Sequence, residues 1–171
     1  MKRLSTALLL LLSLSLLSAQ ETREVTSDPY TGEEILYGKV SIQDFMDPPY
    51  ADWYNREFES YLPDPTVMDV LDREVLGTWY VTIVLGTWCS DSQREFPRFM
   101  KIWEMLGLSE AQLTIIAVNT KKEAPFQLTE GLNIERVPTF IFNQCNMELG
   151  RVVESPAESL EKELFRVLYE Y

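Results

Sequence analysis

Cys89 is the residue whose type and position point most directly to chemistry. The apolar, β-branched residues 81–85 precede it and predict a buried strand, which ends at Gly86. From Ser90 onwards, apolar residues recur at helical spacing, so Cys89 is predicted to stand where a helix begins. Unpaired backbone N–H groups and the positive end of the helix dipole meet there. Such a position stabilises a thiol as the thiolate, which is the nucleophilic form.

The overall composition narrows the chemistry further. The chain contains no histidine, which excludes Ser-His-Asp and Cys-His catalysis and argues against a zinc site. We therefore expect neither a metal nor a cofactor. The formal net charge of −12 argues against nucleic acid or anionic membrane surfaces as partners.

The elements around Cys89 predict a mixed α/β domain. Residues 80–85 and 113–118 are predicted strands separated by the helix after Cys89, so they are expected to be parallel. Pro138 introduces a strand at 139–142, and another is predicted at 148–154. Because a short turn joins these two, we expect an antiparallel hairpin. A polar loop is predicted over residues 119–130.

A capping pattern predicts the last helix. Ser155 is its expected cap, Pro156 takes the first helical position, and Glu158 completes a capping box. The positions expected to face the core are Leu160, Leu164, Val167, Leu168 and Tyr171.

Another helix is predicted before the Cys89 strand. Asp64 is its expected cap, Pro65 its first residue, and Gly77 its end. Its predicted inner face consists of Val67, Val70, Leu71 and Val75.

Residues 21–62 are predicted to consist of a polar lead-in followed by a short strand and two helices. Residues 21–34 are polar and rich in turn formers, and we expect them to be a mobile lead-in. Residues 35–40 are a predicted strand, and Ser41 with Asp44 indicates a short helix start. Residues 50–62 are predicted to form a helix whose aromatic side packs on the core rather than binding a ligand.

The N-terminus has the three parts of a secretory signal. Lys2 and Arg3 precede an apolar run over residues 7–17, and small residues follow up to Gln20. Cleavage after Gln20 is expected, with a periplasmic or secreted location; the alternative is an uncleaved N-terminal anchor. The predicted organisation is therefore a signal peptide at 1–20, an N-terminal extension at 21–65 and a folded domain at 66–171.

The chain resembles the thioredoxin superfamily, and small exported bacterial members in particular. Three features carry the resemblance: Trp88-Cys89 at a strand–helix junction, Pro97 eight residues later, and the sequence Val137-Pro138-Thr139 before a strand. The resemblance implies a thioredoxin-like fold, with a central mixed sheet flanked by helices and an N-terminal helical extension. It also implies a cis bond at Pro138, catalytic roles for Cys89, Ser92 and Pro138, and substrate contacts from Trp88, Val137 and Thr139.

Two departures from the family pattern change the implied chemistry. The usual Cys-x-x-Cys reads Cys89-Ser90-Asp91-Ser92, so a hydroxyl replaces the resolving thiol. Ser92 can donate a hydrogen bond to a Cys89 thiolate, but it cannot close a disulfide. The buried carboxylate that many thioredoxins carry six residues before the cysteine is Ile83 here.

Cys145 is not expected to supply the missing thiol. Seven residues of strand at about 3.3 Å each carry it roughly 20 Å from Pro138. A disulfide needs Cα atoms within about 7 Å. We therefore predict no Cys89–Cys145 disulfide within one chain, and Cys145 is either an incidental surface thiol or the site of an intermolecular disulfide.

Three functions are compatible with these features to different degrees. The first is monothiol thiol–disulfide exchange through Cys89, with thiol- or disulfide-containing proteins of the cell envelope or small thiols as partners. The second is a non-catalytic binding module for an envelope partner, presenting the groove beside Pro138. The third, peroxide reduction, is disfavoured because Thr82 and Gly86 occupy the positions where peroxiredoxin-like sites carry Pro and Thr.

Overall fold

A six-stranded mixed sheet organises the chain in the computed structural model, which describes residues 24–170. The strands are β1 (Glu24–Ser27), β2 (Glu34–Val40), β3 (Tyr80–Leu85), β4 (Leu113–Ala117), β5 (Thr139–Gln144) and β6 (Met147–Val153). The α-helices are α1 (Tyr50–Ser60), α2 (Pro65–Met68), α3 (Arg73–Leu76), α4 (Ser90–Met105) and α5 (Leu160–Tyr169). Short 3₁₀ helices lie at Ile42–Phe45, Glu110–Gln112 and Pro125–Gln127.

The strand order is β1-β2-β4-β3-β5-β6. Strands β3 and β4 are parallel, and every other neighbouring pair is antiparallel, as predicted for the hairpin β5–β6. This topology confirms the predicted thioredoxin-like mixed α/β fold. The N-terminal extension predicted at 21–65 contains strands as well as helices. It contributes β1 and β2 to the sheet, and its helix α1 packs on α4.

The two faces of the sheet are covered differently. Side chains alternate between faces along a strand. In β3, Val81, Ile83 and Leu85 therefore belong to the large core under the helices, whereas Val84 belongs to a second, smaller cluster. That cluster lies under the loop between β4 and β5. The side of the sheet opposite the helices is thus closed by loop residues.

Aromatic packing fills the helical side, as predicted for the α1 segment. The rings of Phe45 and Phe96 lie 4.8 Å apart, and Tyr54 contacts both. Nearer the centre of the sheet, the rings of Phe99 and Phe140 are also 4.8 Å apart. These ring contacts hold α1 and α4 against the sheet. They therefore fix the position of the start of α4, where Cys89 lies.

The expectation of a mobile lead-in over residues 21–34 is wrong where the structure describes it. Strand β1 pairs with β2, and the buried Asp28 carboxylate organises the turn between them. It accepts hydrogen bonds from the N–H groups of Tyr30 and Thr31 and, across the fold, from Thr120. Burial raises the pKa of Asp28, but these hydrogen bonds, led by that from Thr120, outweigh it and hold the pKa below its usual value.

The single helix predicted between Asp64 and Gly77 is also wrong. Asp64 does cap a helix at Pro65, but this helix ends after one turn. Asp72 then caps a second turn by accepting hydrogen bonds from the N–H groups of Glu74 and Val75. A carboxylate that competes for backbone donors in this way favours a new helix start over continuation. As a result, Val70 and Val75 of the predicted inner face are exposed.

The last helix starts later than predicted. Its N-cap is Ser159, because the side chains of Ser155 and Glu158, which were predicted to form the cap, have other partners. The Ser155 hydroxyl accepts a hydrogen bond from Arg94, and Glu158 forms ion pairs with Lys162 and Arg166. Its core positions Leu160, Leu164 and Val167 are buried as predicted, whereas Leu168 is only partly buried against the core.

Two predictions fall outside the described residues: the signal peptide at 1–20 and the core position Tyr171. Within residues 24–170, the structure has no helix that is long and apolar enough to cross a membrane.

Candidate functional site

Cys89 lies at the junction that the sequence predicts. Strand β3 ends at Leu85, a turn follows in which the Cys89 N–H donates to the Gly86 carbonyl, and Cys89 is the N-cap of α4. Its carbonyl accepts the Gln93 N–H at 3.0 Å, which closes the first helical turn. The residue as a whole is partly buried and partly exposed to solvent.

The thiol contacts the segment that precedes β5. Cys89 Sγ donates a hydrogen bond to the Val137 carbonyl at 3.2 Å. The peptide bond between Val137 and Pro138 is cis, and the Pro138 carbonyl accepts the Glu154 N–H at 2.7 Å. The β3–β5 register explains the proximity, since Val84 lies opposite Thr139. The structure therefore brings Cys89, Val137 and Pro138 together.

Trp88, the residue before Cys89, is fixed against the end of the sheet. Its indole Nε1 donates to the Val118 carbonyl at 2.9 Å, which spans from the end of β3 to the end of β4. A Cβ on Gly86 would lie 2.5 Å from the indole ring, closer than such atoms approach. Gly86 is thus required for the placement of Trp88 against the backbone, and it does more than end the strand.

Ser92, the replacement for the resolving cysteine, is fully buried one turn into α4. Its hydroxyl oxygen accepts the Gly86 N–H at 3.2 Å, whereas the Cys89 thiol is bonded to Val137. The observed role of Ser92 is therefore to tie α4 to the turn before Cys89. Its donation of a hydrogen bond to a Cys89 thiolate stays a prediction.

The Thr139 side chain is also buried. Its hydroxyl donates to the Arg136 carbonyl at 2.7 Å, across the turn that contains Pro138. This bond shapes the segment that carries Val137. A direct contact between the Thr139 side chain and a substrate stays a prediction that the burial of this side chain does not favour.

The charges near the start of α4 are largely paired with one another. Arg94 forms ion pairs with Glu95 at 2.6 Å and Asp91 at 2.7 Å, and it also reaches Ser155. The hydrogen bond to Glu95, followed by that to Asp91, raises the pKa of Arg94 above its usual value despite partial burial. The charges of Asp91 and Arg94 at the start of α4 are thus paired with each other.

Sequence reasoning missed the inner side of the site. Like Trp88 and Cys89, four loop residues pack against the small buried cluster of Val84, Ile116, Val118 and Val137: Ala124, Leu128, Leu132 and Ile134. Their apolar type and the four-residue spacing of 124, 128 and 132 were a signal that the prediction of a polar loop over residues 119–130 did not use. Residues 119–138 thus cover the face of the sheet on which Trp88 and Cys89 pack, and their Val137 carbonyl contacts the thiol; we name this segment the cover loop.

Cys145 lies away from the site. Both cysteines are free, which confirms the prediction that they do not bond to each other within one chain. Cys145 is exposed in the tight turn between β5 and β6, where it and Asn146 have positive φ angles of 51° and 63°. Within the described part of the chain, no group of three or more Cys, Asp or Glu side chains could hold a metal ion.

No protein-family model matches the chain, and no curated protein matches it. The solved structures that match the chain include the following three. A protein of unknown function from Pseudomonas aeruginosa aligns at 14% identity and a TM-score of 0.50, covering 77% of this chain and 81% of its own. An HIV epitope-scaffold aligns at 16% identity and a TM-score of 0.41, covering 70% of this chain and 72% of its own. Chlamydomonas reinhardtii thioredoxin f2 aligns at 16% identity and a TM-score of 0.39, covering 58% of this chain and 92% of its own.

At 14% identity the similarity to the Pseudomonas aeruginosa protein bears on the fold alone. The site therefore stands on its own geometry: one partly buried cysteine at a helix start, a cis-proline segment beside it, and a buried hydroxyl three residues on.

Proposed function

We propose that this chain is an exported thioredoxin-like protein whose Cys89 performs monothiol thiol–disulfide exchange. The observation that carries the proposal is the position of Cys89, a partly exposed residue at the N-cap of α4 whose thiol lies 3.2 Å from the Val137 carbonyl, next to the cis bond at Pro138. A helix N-terminus favours the thiolate. Export rests on the charged, apolar and small-residue pattern of residues 1–20.

The reaction is an exchange without net consumption of an oxidant. The Cys89 thiolate attacks one sulfur of a partner disulfide, a new S–S bond forms, and the partner's own S–S bond breaks. The departing sulfur leaves as a thiolate and takes up a proton from water. A second thiol, from the partner or from a small molecule, then attacks the mixed disulfide and regenerates Cys89.

The need for an external second thiol follows from the residues around Cys89. Position 92 offers a hydroxyl bonded to Gly86, and Cys145 lies in the turn after β5. Strand β5 starts beside the site and spans six residues, which corresponds to about 20 Å. The chemistry therefore suits disulfide isomerisation, reversible capping or trapping of a thiol partner better than net reduction.

Trapping in cells tests this proposal. Cells producing the full chain are quenched with acid and alkylated, and their proteins are separated without reductant. We expect adducts that disappear on reduction, that are lost in Cys89→Ser, and that persist in Cys145→Ser. Adducts that follow Cys145 instead, or that persist in Cys89→Ser, would refute monothiol exchange at Cys89.

A second candidate is a non-catalytic binding module, and one observation favours it. A groove of about 510 Å³ runs between α1 and α4, lined by apolar side chains that include Tyr54, Phe58, Met100 and Trp103. On this alternative the fold presents a surface and Cys89 is incidental. Binding of an envelope partner that is unchanged in Cys89→Ser but lost on substitution of Phe58 by Ser would support it.

A further inference from the structure

Phe126 is an exposed aromatic residue on the loop that covers the site. Its side chain is 88% exposed, although a phenyl ring gains stability when it is buried. Its φ angle is +55° and that of Gln127 is +59°, both in the left-handed region. Such a conformation is strained in a non-glycine residue and persists only where the surroundings impose it.

The flanking residues fix Phe126 relative to Cys89. Ala124 and Leu128 pack against the same small buried cluster that Trp88 and Cys89 pack against. Pro125 packs on β2. A Cβ added to Gly38 would lie only 3.1 Å from the Pro125 ring. The cover loop is therefore anchored on both sides of Phe126, and the phenyl ring projects into solvent from a segment that borders the thiol.

We propose that Phe126 is a docking contact for a polypeptide whose disulfide reacts with Cys89, so that the substrate class is a protein disulfide with a nearby apolar side chain. This inference rests on the proposed function. A small disulfide reaches the thiol without touching the loop tip, whereas an extended chain bound at Cys89 spans several residues at about 3.3 Å each and can contact both. Anchoring aromatic residues commonly supply much of the binding energy of protein interfaces.

The test compares one protein disulfide with one small disulfide. In a Cys145→Ser background, mixed-disulfide formation at Cys89 is timed by mass spectrometry with insulin and, separately, with glutathione disulfide. We expect Phe126→Ala to slow the reaction with insulin about tenfold and to leave the reaction with glutathione disulfide unchanged within about twofold. Phe126→Leu, which keeps an apolar contact, should recover most of the rate with insulin.

The matched control is Tyr80→Ala. Tyr80 is also an exposed aromatic, 64% exposed, but it starts β3 at the end of the strand opposite Cys89. Its removal should change neither rate. Equal unfolding midpoints of Phe126→Ala and its parent show that the loop change leaves the fold intact.

The outcomes separate this inference from the function on which it rests. Normal reaction of Phe126→Ala with insulin, or equal slowing with both probes, overturns the docking role while the exchange chemistry stands. The same holds if Phe126→Ala abolishes a dimer of the parent without affecting insulin, because the surface then serves a second copy of the chain. A parent that reacts with neither probe overturns both proposals.

Discussion

Ser92→Cys is expected to let the protein form a disulfide within its own site. The hydroxyl of Ser92 lies one helical turn after Cys89, and the first turn of α4 is closed by the bond from Gln93 N–H to the Cys89 carbonyl. Residues three apart across such a turn have Cα atoms within the roughly 7 Å that a disulfide requires. The introduced thiol would then release a mixed disulfide intramolecularly, at an effective concentration in the millimolar range or above.

The measurement is insulin reduction with dithiothreitol, together with the thiol count after mild oxidation. We expect at least about a tenfold gain in the rate of turnover over the parent, and a loss of two titratable thiols in the oxidised variant. Ser92→Ala is the matched control: it removes the bond to the Gly86 N–H without adding sulfur, and should gain no turnover. A folded Ser92→Cys protein that keeps all its thiols free on oxidation would contradict the described geometry.

Phe99→Ala is expected to destabilise the fold far more than truncation of any exposed aromatic residue. Phe99 is fully buried in α4, and its ring lies 4.8 Å from that of Phe140 in β5 and 5.6 Å from that of Trp103. Truncation leaves a cavity between the helix and the sheet, for which losses of about 3–5 kcal/mol in the free energy of unfolding are typical. Denaturant unfolding followed by circular dichroism measures the change.

Phe126→Ala provides the control, because it removes the same atoms from a side chain that is 88% exposed. Its free energy of unfolding should change by no more than about 0.5 kcal/mol. Should Phe99→Ala fail to fold, Phe99→Leu should fold with a smaller loss. Similar losses at Phe99 and Phe126 would mean that α4 does not pack on the sheet through Phe99.

The sequence predicted the surroundings of Cys89 well because strong local signals agree there. A β-branched run, a glycine and an amphipathic stretch follow one another, and each favours the same strand–turn–helix unit around Cys89. The position of Pro138 beside the thiol came from the family resemblance. The register that pairs Val84 with Thr139 produces this proximity in the structure.

The missed features depend on partners that are distant in sequence. Asp28 looks like an ordinary turn residue until Thr120 is brought to it by the sheet. The helix that Asp64 caps ends early because Asp72 also accepts hydrogen bonds from backbone N–H groups and starts a new helix. Hydrophobic periodicity does not reveal this competition. The inner side of the cover loop was missed because its apolar residues are separated by polar residues and by turn formers such as Pro125 and Gly131.

The most direct test of the central claim compares the two thiols of the native chain. Purified Cys145→Ser and Cys89→Ser proteins, each with one cysteine, are mixed with glutathione disulfide at neutral pH and followed by intact mass. Monothiol exchange predicts a single adduct on Cys89 that forms at least about tenfold faster than that on the exposed Cys145, and that a small thiol reverses. Equal rates, or a faster reaction at Cys145, would contradict a reactive role for Cys89.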